Sequence, residues 1–324
     1  MKKKIYRAVL ILTLLAFFSS GCAAPVSTNG SQEMENDINT QLISNSTPTP
    51  AELLTTESSS YSIAQSIVNQ ILHPASKNLN PDLQIKNSQA SASSEHLMLF
   101  VQNESLPVNI VWVEKAEQIY EVESKRVHST LDKKIAVQFV PPEKGNCAPR
   151  GTTLFEEQPI ILIYANQDTN PLQINATFAH ELGHVFIHNK YENLNNIALN
   201  EGMATWIAKE EWNIWKGNSF DDSVLSSLAD HSYLSIFQNL NMQKAYADSP
   251  GCLGYRDQLL IEFASFIDYL IQKYGMDSLT DLFNIPQPNI VNNQRVVYAP
   301  DFFGVYGLSL NQLEFAWLTQ LTNQ

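Results

Sequence analysis

The sequence predicts an α+β fold, because strand-like segments come first in the regular part of the chain and helical segments dominate after them. A helical pattern of apolar residues spans 108–131, and further helix signals begin at residue 171. With 324 residues, 44% of them apolar, the chain is long enough to bury a sizeable core. The strand-like segments begin at residues 95, 134 and 159 and read EHLMLFVQ, KIAVQFV and PIILIYA.

The first 21 residues have the parts of a secretory signal. Four basic residues lie at the start, an apolar run follows over 8–18, and Ser19, Ser20 and Gly21 lead to Cys22. The run is short for a membrane span, and a polar segment follows it. The Gly21–Cys22 junction resembles a bacterial lipoprotein cleavage site, although such sites usually carry Leu where this chain has Ser19. We therefore expect an exported protein whose Cys22 is lipidated and anchors it to the outside of the bacterial membrane; a secreted protein with a spare cysteine is the alternative.

The charge of the chain argues against nucleic acid as a partner. Its 20 basic and 33 acidic residues give a net charge of −13. Loss of the signal removes four basic residues and no acidic ones, which leaves 16 basic against 33 acidic residues, or −17. A polyanion would be repelled by such a surface.

The composition divides the chain into a signal at 1–21, a linker at 22–91 and one domain at 92–324. The segment 23–60 is rich in Ser, Thr, Asn and Pro, which is typical of a flexible tether. A short amphipathic helix is expected at 63–72, and a polar stretch follows it up to residue 94.

Two further cysteines suit an oxidising compartment. Cys147 and Cys252 form an even pair in the loop-like contexts KGNCAPRG and SPGCLGYR. Export permits disulfides, so we expect a bridge between two loops near a cleft, with two free thiols as the alternative.

The segment FAHELGHVFIHN, at 178–189, carries the main chemical signal. Asn170 and Pro171 predict the start of a helix over 171–188. Residues four apart on a helix differ by about 40° around its axis, so His180 and His184 can direct their rings at one cation. Zinc accepts two imidazoles and a third protein ligand while leaving a position open for water, and Glu181 is placed to act on that water as a base.

The sequence narrows the choice of a third ligand. In one known arrangement a glycine and a histidine follow three and six residues after the second histidine, but this chain has Ile187 and Lys190 there. His188 lies about 6 Å further along the helix than His184 and is expected to be a neighbouring or surface residue.

A glutamate from the next helix is the other arrangement. The segment NNIALNEGMATWIAKEEW predicts a helix capped by Asn195 or Asn196, with Glu201 near its start. Gly202 and Ala204 are small enough to let two helices approach closely around an ion. Glu201 is therefore the expected third ligand, and an ordinary surface carboxylate is the alternative.

HELGH followed by NEGMA resembles the gluzincin branch of metallopeptidases, in the style of peptidase-MA-like domains of exported bacterial proteins. The resemblance covers about residues 92–324. It implies a zincin-like domain with a small mixed sheet beside the active-site helix and a mostly helical C-terminal part. It also implies that one Zn²⁺ ion is bound by His180, His184 and Glu201, and that Glu181 is the general base.

The resemblance carries three further expectations. The strand PIILIYA should pair with an extended peptide or protein substrate. Tyr255 or His231 should donate to the oxyanion, although either could be an ordinary packed or exposed residue. Thr205 stands where some gluzincins have an acidic residue that supports a zinc histidine, so its hydroxyl or a main-chain carbonyl would take that role.

Four tryptophans are assigned to the core. Trp206, Trp212 and Trp215 are expected to pack from one helix, and Trp317 to dock the last helix. The predicted function is zinc-dependent hydrolysis of peptide bonds. The alternative is a cell-envelope binding or assembly module that keeps the metallopeptidase fold without catalysis.

Overall fold

A computed structural model describes a large part of the predicted domain. The predicted signal, the lipidation site at Cys22, the helix at 63–72 and nearly all of the linker lie outside the described residues. Within the described part, no helix is both long and apolar enough to cross a membrane. All described residues belong to Asn69–Gln324, one of the two units into which the chain divides. They are residues 90–101, 111–191, 196–240, 242–284 and 300–323.

A mixed sheet of five strands forms the first part of the domain, in the order β1-β2-β3-β5-β4. The central pairs β2–β3 and β3–β5 are parallel, whereas β1 and β4 run antiparallel to their neighbours. The three predicted strands are confirmed as β2, β3 and β5. The strands are β1 (Ala92–Ser93), β2 (Leu97–Val101), β3 (Ile135–Val140), β4 (Gly151–Leu154) and β5 (Ile160–Tyr164).

Helices dominate the chain after the sheet, which confirms the α+β prediction and the mostly helical C-terminal part. A 3-10 turn, Gln243–Tyr246, precedes the long helix Cys252–Tyr274. The helices are α1 (Trp112–Val127), α2 (Pro171–Lys190), α3 (Ile197–Ile207), α4 (Lys209–Lys216), α5 (Phe220–Ala229), α6 (Ile236–Asn239), α7 (Cys252–Tyr274), α8 (Met276–Asn284), α9 (Phe302–Tyr306) and α10 (Leu310–Thr322).

The starts of α2 and α3 follow the local signals in the sequence. The Asn170 side chain accepts a hydrogen bond from the main-chain N–H of Leu172, and Pro171 occupies the first turn of α2. Asn196 caps α3 in the same way through the N–H of Leu199. Such caps contribute about 1 kcal/mol each.

Helix α3 packs against both α2 and α7, and glycines set both contacts. A Cβ at Gly183 of α2 would lie 2.8 Å from the main-chain oxygen of Ala204 of α3. A Cβ at Gly202 would lie 2.7 Å from the Cβ of Phe263 of α7. Only Ala204, therefore, has the expected role between α2 and α3, and Gly202 instead allows α7 to approach.

The tryptophans belong to the core, as predicted, but on more elements than expected. The helix that carries Trp206 ends at Ile207, so Trp212 and Trp215 lie on a separate helix, α4. Trp317 of α10 is fully buried, and its ring centre lies 5.5 Å from that of Phe266 of α7. This contact docks the last helix onto the core.

Candidate metal centre and active site

Helices α2 and α3 bring three potential ligand atoms together at their contact. The Nε2 atoms of His180 and His184 lie 3.2 Å apart. The Oε2 atom of Glu201 lies 3.1 Å from the first and 3.7 Å from the second. The predicted trio thus meets in one place and forms a possible metal-binding group.

Hydrogen bonds on the far side of each ring determine which nitrogen faces the group. The Thr205 hydroxyl donates to the main-chain oxygen of Glu201 at 2.9 Å, so it must accept from Nδ1 of His180, which lies 3.1 Å away. The Nδ1 atom of His184 donates to Oδ1 of Asn200 at 3.1 Å. Each neutral ring is left with a lone pair on Nε2.

The group is suited to a cation because three electron-pair donors converge when both imidazole rings are neutral. A tetrahedral zinc site with bonds of about 2.0 to 2.1 Å separates its ligand atoms by about 3.3 Å, close to the three separations found here. Burial disfavours a charge on His184, but the neighbouring Glu201 carboxylate raises the pKa of His184 to about 9. Burial likewise disfavours the Glu201 carboxylate, yet His184 and His180 hold its pKa well below the usual range. Without a metal, a proton on His184 supplies the positive charge.

Thr205 and Asn200 orient the two imidazoles. The expected contact of the Thr205 hydroxyl with a histidine of the trio is present, with His180. Asn200 was missed by the sequence analysis, although it directly precedes Glu201 in the NEGMA segment. Both residues come from α3, the helix that supplies the third ligand atom.

Glu181 directly follows His180 on α2, its charge helps to raise the pKa of His184, and it is held by β4. The Thr153 hydroxyl lies 2.8 Å from Oε2 of Glu181 and 2.9 Å from its main-chain oxygen. Gly151 leaves space for the same carboxylate, since a Cβ there would lie 2.7 Å from Oε1. Glu181 is 7% exposed, so it can meet a ligand without being freely solvated.

The strand that presents an edge at the site is β4, and this corrects the assignment of PIILIYA as the substrate-pairing strand. That segment forms β5, which is hydrogen-bonded on both sides, to β3 and to β4. The main-chain oxygen of Arg150 accepts from the N–H of Tyr164, so alternation directs the main-chain groups of Gly151 and Thr153 away from β5.

Tyr246, in the 3-10 turn, reaches the site, whereas Tyr255 is engaged elsewhere. Burial raises the pKa of the Tyr246 phenol well above its usual value, the charges of Glu201 and Glu181 act in the same direction, and the charge of Arg256 opposes them. The Tyr255 hydroxyl instead donates to Oδ1 of Asn239 at 2.6 Å. The structure therefore favours Tyr246 over Tyr255 as a donor near the metal group.

The remaining histidines named in the sequence do not join the trio. His188 is exposed at the end of α2, and its ring stacks on Phe155 with centres 4.1 Å apart. His231 is exposed in the turn after α5 with a left-handed backbone, φ 57°. Trp212 is 3% exposed, and its ring centre lies 6.1 Å from that of His180, so it forms an apolar wall beside the metal group.

A second possible metal-binding group consists of His96, Glu117 and Glu121. Its two carboxylates have partners outside the group: Glu117 accepts a hydrogen bond from the Ser94 hydroxyl, and Glu121 lies 3.4 Å from Nζ of Lys125. Among the described residues, by contrast, no lysine or arginine forms an ion pair with Glu201 of the first group.

The predicted disulfide is present between Cys147 and Cys252. It joins the loop before β4 to the first residue of α7, across a sequence separation of 105 residues. The bridge therefore holds the loop that leads into β4 against the start of α7.

No model of a known protein family matches this chain, and no curated protein matches it. The functional interpretation rests on the geometry of the site and on the resemblance of its motifs.

Proposed function

We propose that the protein is a zinc-dependent peptidase of the gluzincin type, with a zincin-like domain, that hydrolyses peptide bonds in peptide or protein substrates. The observation that carries this proposal is the convergence of His180, His184 and Glu201 beside a carboxylate, Glu181, that is not one of the three. A purely structural cluster would not require a further buried carboxylate at this position.

The nitrogen of each imidazole that carries no proton, Nε2, is the atom proposed to bind the metal. Nε2 of His180, Nε2 of His184 and a carboxylate oxygen of Glu201 would hold one Zn²⁺ ion. When bound, zinc supplies Lewis-acid chemistry, which makes water more acidic and polarises a carbonyl group.

Glu181 is the proposed general base. Its carboxylate accepts a proton from the attacking water and then returns it to the leaving amine. The Thr153 hydroxyl has one proton and two acceptors on Glu181, the carboxylate and the main-chain oxygen, at nearly equal distances. It can support the charged carboxylate and turn to the main-chain oxygen when Glu181 is protonated.

Two further elements position the substrate. The outward main-chain groups of Gly151 and Thr153 would pair with an extended peptide, which gives affinity with little dependence on side chains. The Tyr246 phenol, which burial keeps protonated, would donate a hydrogen bond to the oxygen of the reacting carbonyl. Export and lipidation at Cys22 would place this activity outside the bacterial membrane.

The experiment is cleavage of an unstructured protein by the purified domain, with and without a chelator, followed by metal analysis. We expect cleavage to require the metal and to be lost in Glu181→Gln, while both proteins retain one zinc ion. If wild type and variant are equally inactive on broad substrates although zinc is bound, the non-catalytic envelope module becomes the better interpretation.

A further inference from the structure

We propose that the Cys147–Cys252 disulfide and Arg256 act together as a strap that sets the distance between Tyr246 and the outward edge of β4. Arg256 is a positioning residue in this proposal, since it acts through other groups. The proposal rests on the proposed peptidase function, because it concerns two elements of that site.

One turn of α7 holds the loop that leads into β4. Arg256 follows Cys252 by four residues and therefore lies on the same face of the helix. Its guanidinium donates to the main-chain oxygens of Cys147 at 3.4 Å and Ala148 at 3.2 Å. The disulfide and Arg256 thus both hold Cys147, and Arg256 also holds Ala148.

The next residue of α7 fixes the last loop position before β4. Asp257 accepts from Arg150 through both carboxylate oxygens, at 2.5 and 2.9 Å. Burial opposes the charge of Asp257, but the hydrogen bonds and charge of Arg150 keep its pKa below the usual range. Gly151, whose backbone faces Glu181, follows directly.

The strap also touches the turn that carries Tyr246. The Sγ atom of Cys147 lies 3.2 Å from the main-chain oxygen of Ala245. The Arg256 guanidinium lies 5.8 Å from the ring centre of Tyr246 and is 8% exposed. The buried Arg256 cation therefore lies between the loop before β4 and the ring of Tyr246.

This arrangement has a functional consequence because the substrate would lie between the two elements that the strap connects. The β4 edge would hold the peptide, and Tyr246 would meet its reacting carbonyl. A displacement of about 1 Å between such groups can reduce a rate by about 100-fold. The three converging residues lie on α2 and α3, and none of them belongs to the strap.

The test compares the Cys147→Ala/Cys252→Ala double variant, Arg256→Met and Arg256→Lys with wild type, well below their melting temperatures. We expect kcat/KM to fall about 10- to 100-fold in the first two, with zinc content unchanged, and Arg256→Lys to regain part of the loss because it keeps a donor. Lys273→Met is the control, since Lys273 also lies over tyrosine rings of α7 but at its other end.

Amide hydrogen exchange gives a readout that does not require activity. We expect faster exchange in 146–154 and 243–251 of the two disruptive variants, and unchanged exchange in α2 and α3. A kcat/KM within twofold of wild type, or faster exchange that spreads equally to α2 and α3, would overturn the strap. An inactive wild type would instead count against the peptidase, and the exchange pattern would still decide the strap.

Discussion

A Cβ atom at Gly151 would lie 2.6 Å from the Cγ of Glu181, closer than two carbon atoms can approach without displacement. Strand β4 can therefore lie this close to Glu181, the proposed base, only because Gly151 has no side chain. The clash would fall on the side of β4 that faces α2, whereas the main-chain groups of Gly151 point along the free edge of the sheet.

Replacement of Gly151 by alanine tests this fit. We expect Gly151→Ala to push the Glu181 carboxylate aside and to lower kcat/KM at least 10-fold, since general-base catalysis contributes about 10²- to 10⁴-fold. Zinc content should be unchanged because Glu181 is not one of the three ligands. Gly254→Ala is the matched control, because a Cβ there meets no atom within 4 Å. Equal activity of both variants would contradict the proposed fit.

Tyr246 is the oxyanion donor proposed from the structure, and Tyr255 is the one expected from the sequence. A variant of each tyrosine tests the choice. We expect Tyr246→Phe to lower kcat about 100-fold with little change in KM, since loss of one oxyanion donor typically has this effect. Tyr255→Phe removes only a hydrogen bond to Asn239 and should leave kcat unchanged. Steady-state kinetics of the two variants decide between them, and the reverse pattern would restore the role to Tyr255.

Thr205 offers a test of how the imidazoles are held. We expect Thr205→Val to weaken zinc binding about 10- to 100-fold, because the Nδ1–H of His180 would lose its acceptor in a fully buried position. Thr205→Ser keeps the hydroxyl and should bind zinc almost as wild type does. Competition with a chromogenic chelator measures both affinities. If serine and valine weaken binding equally, packing around the threonine methyl group is the cause.

The sequence predicted the parts of the site that depend on residues close together in the chain. Asn170 and Pro171 begin α2, and four-residue spacing on that helix is enough to bring His180 and His184 to one side. Glu201 was predicted because a capped helix follows closely.

Other parts depended on contacts that a single sequence does not display. Strand β4 has four residues and becomes a strand by pairing with β5, so its pattern is too short to recognise. Tyr246 lies 45 residues beyond Glu201 in a 3-10 turn without helical or strand periodicity. The direction of Gly202 towards α7 depended on a helix that begins 50 residues later.

The raised pKa of His184 predicts that metal binding is linked to proton release. Below pH 9 the metal-free protein carries a proton on His184, held there by the Glu201 carboxylate, and a metal must displace it. We expect zinc affinity to rise about 10-fold per pH unit between about pH 7 and 9 and then to level off. Calorimetry in two buffers of different ionisation enthalpy should show about one proton released at pH 7.5. An affinity that does not change over this range would contradict the assignment.

Glu262 of α7 makes stability itself depend on pH. This fully buried carboxyl group has a pKa of about 8, mainly because burial disfavours its charge, although hydrogen bonds from Gln258 and the N–H of Leu234 oppose the shift. Since the folded-state pKa lies above the usual 4.5, its stabilising contribution is complete below about pH 4.5 and is lost as the pH rises through about 8. Glu262→Gln resembles the protonated carboxyl, so we expect it to unfold at a higher temperature than wild type at pH 8 and at a similar temperature at pH 4.5. Glu156→Gln, at an exposed position, is the control and should follow the wild-type curve. Melting temperatures of the metal-free proteins across this range measure the effect, and parallel curves for Glu262→Gln and wild type would show that the carboxyl group does not titrate as its burial implies.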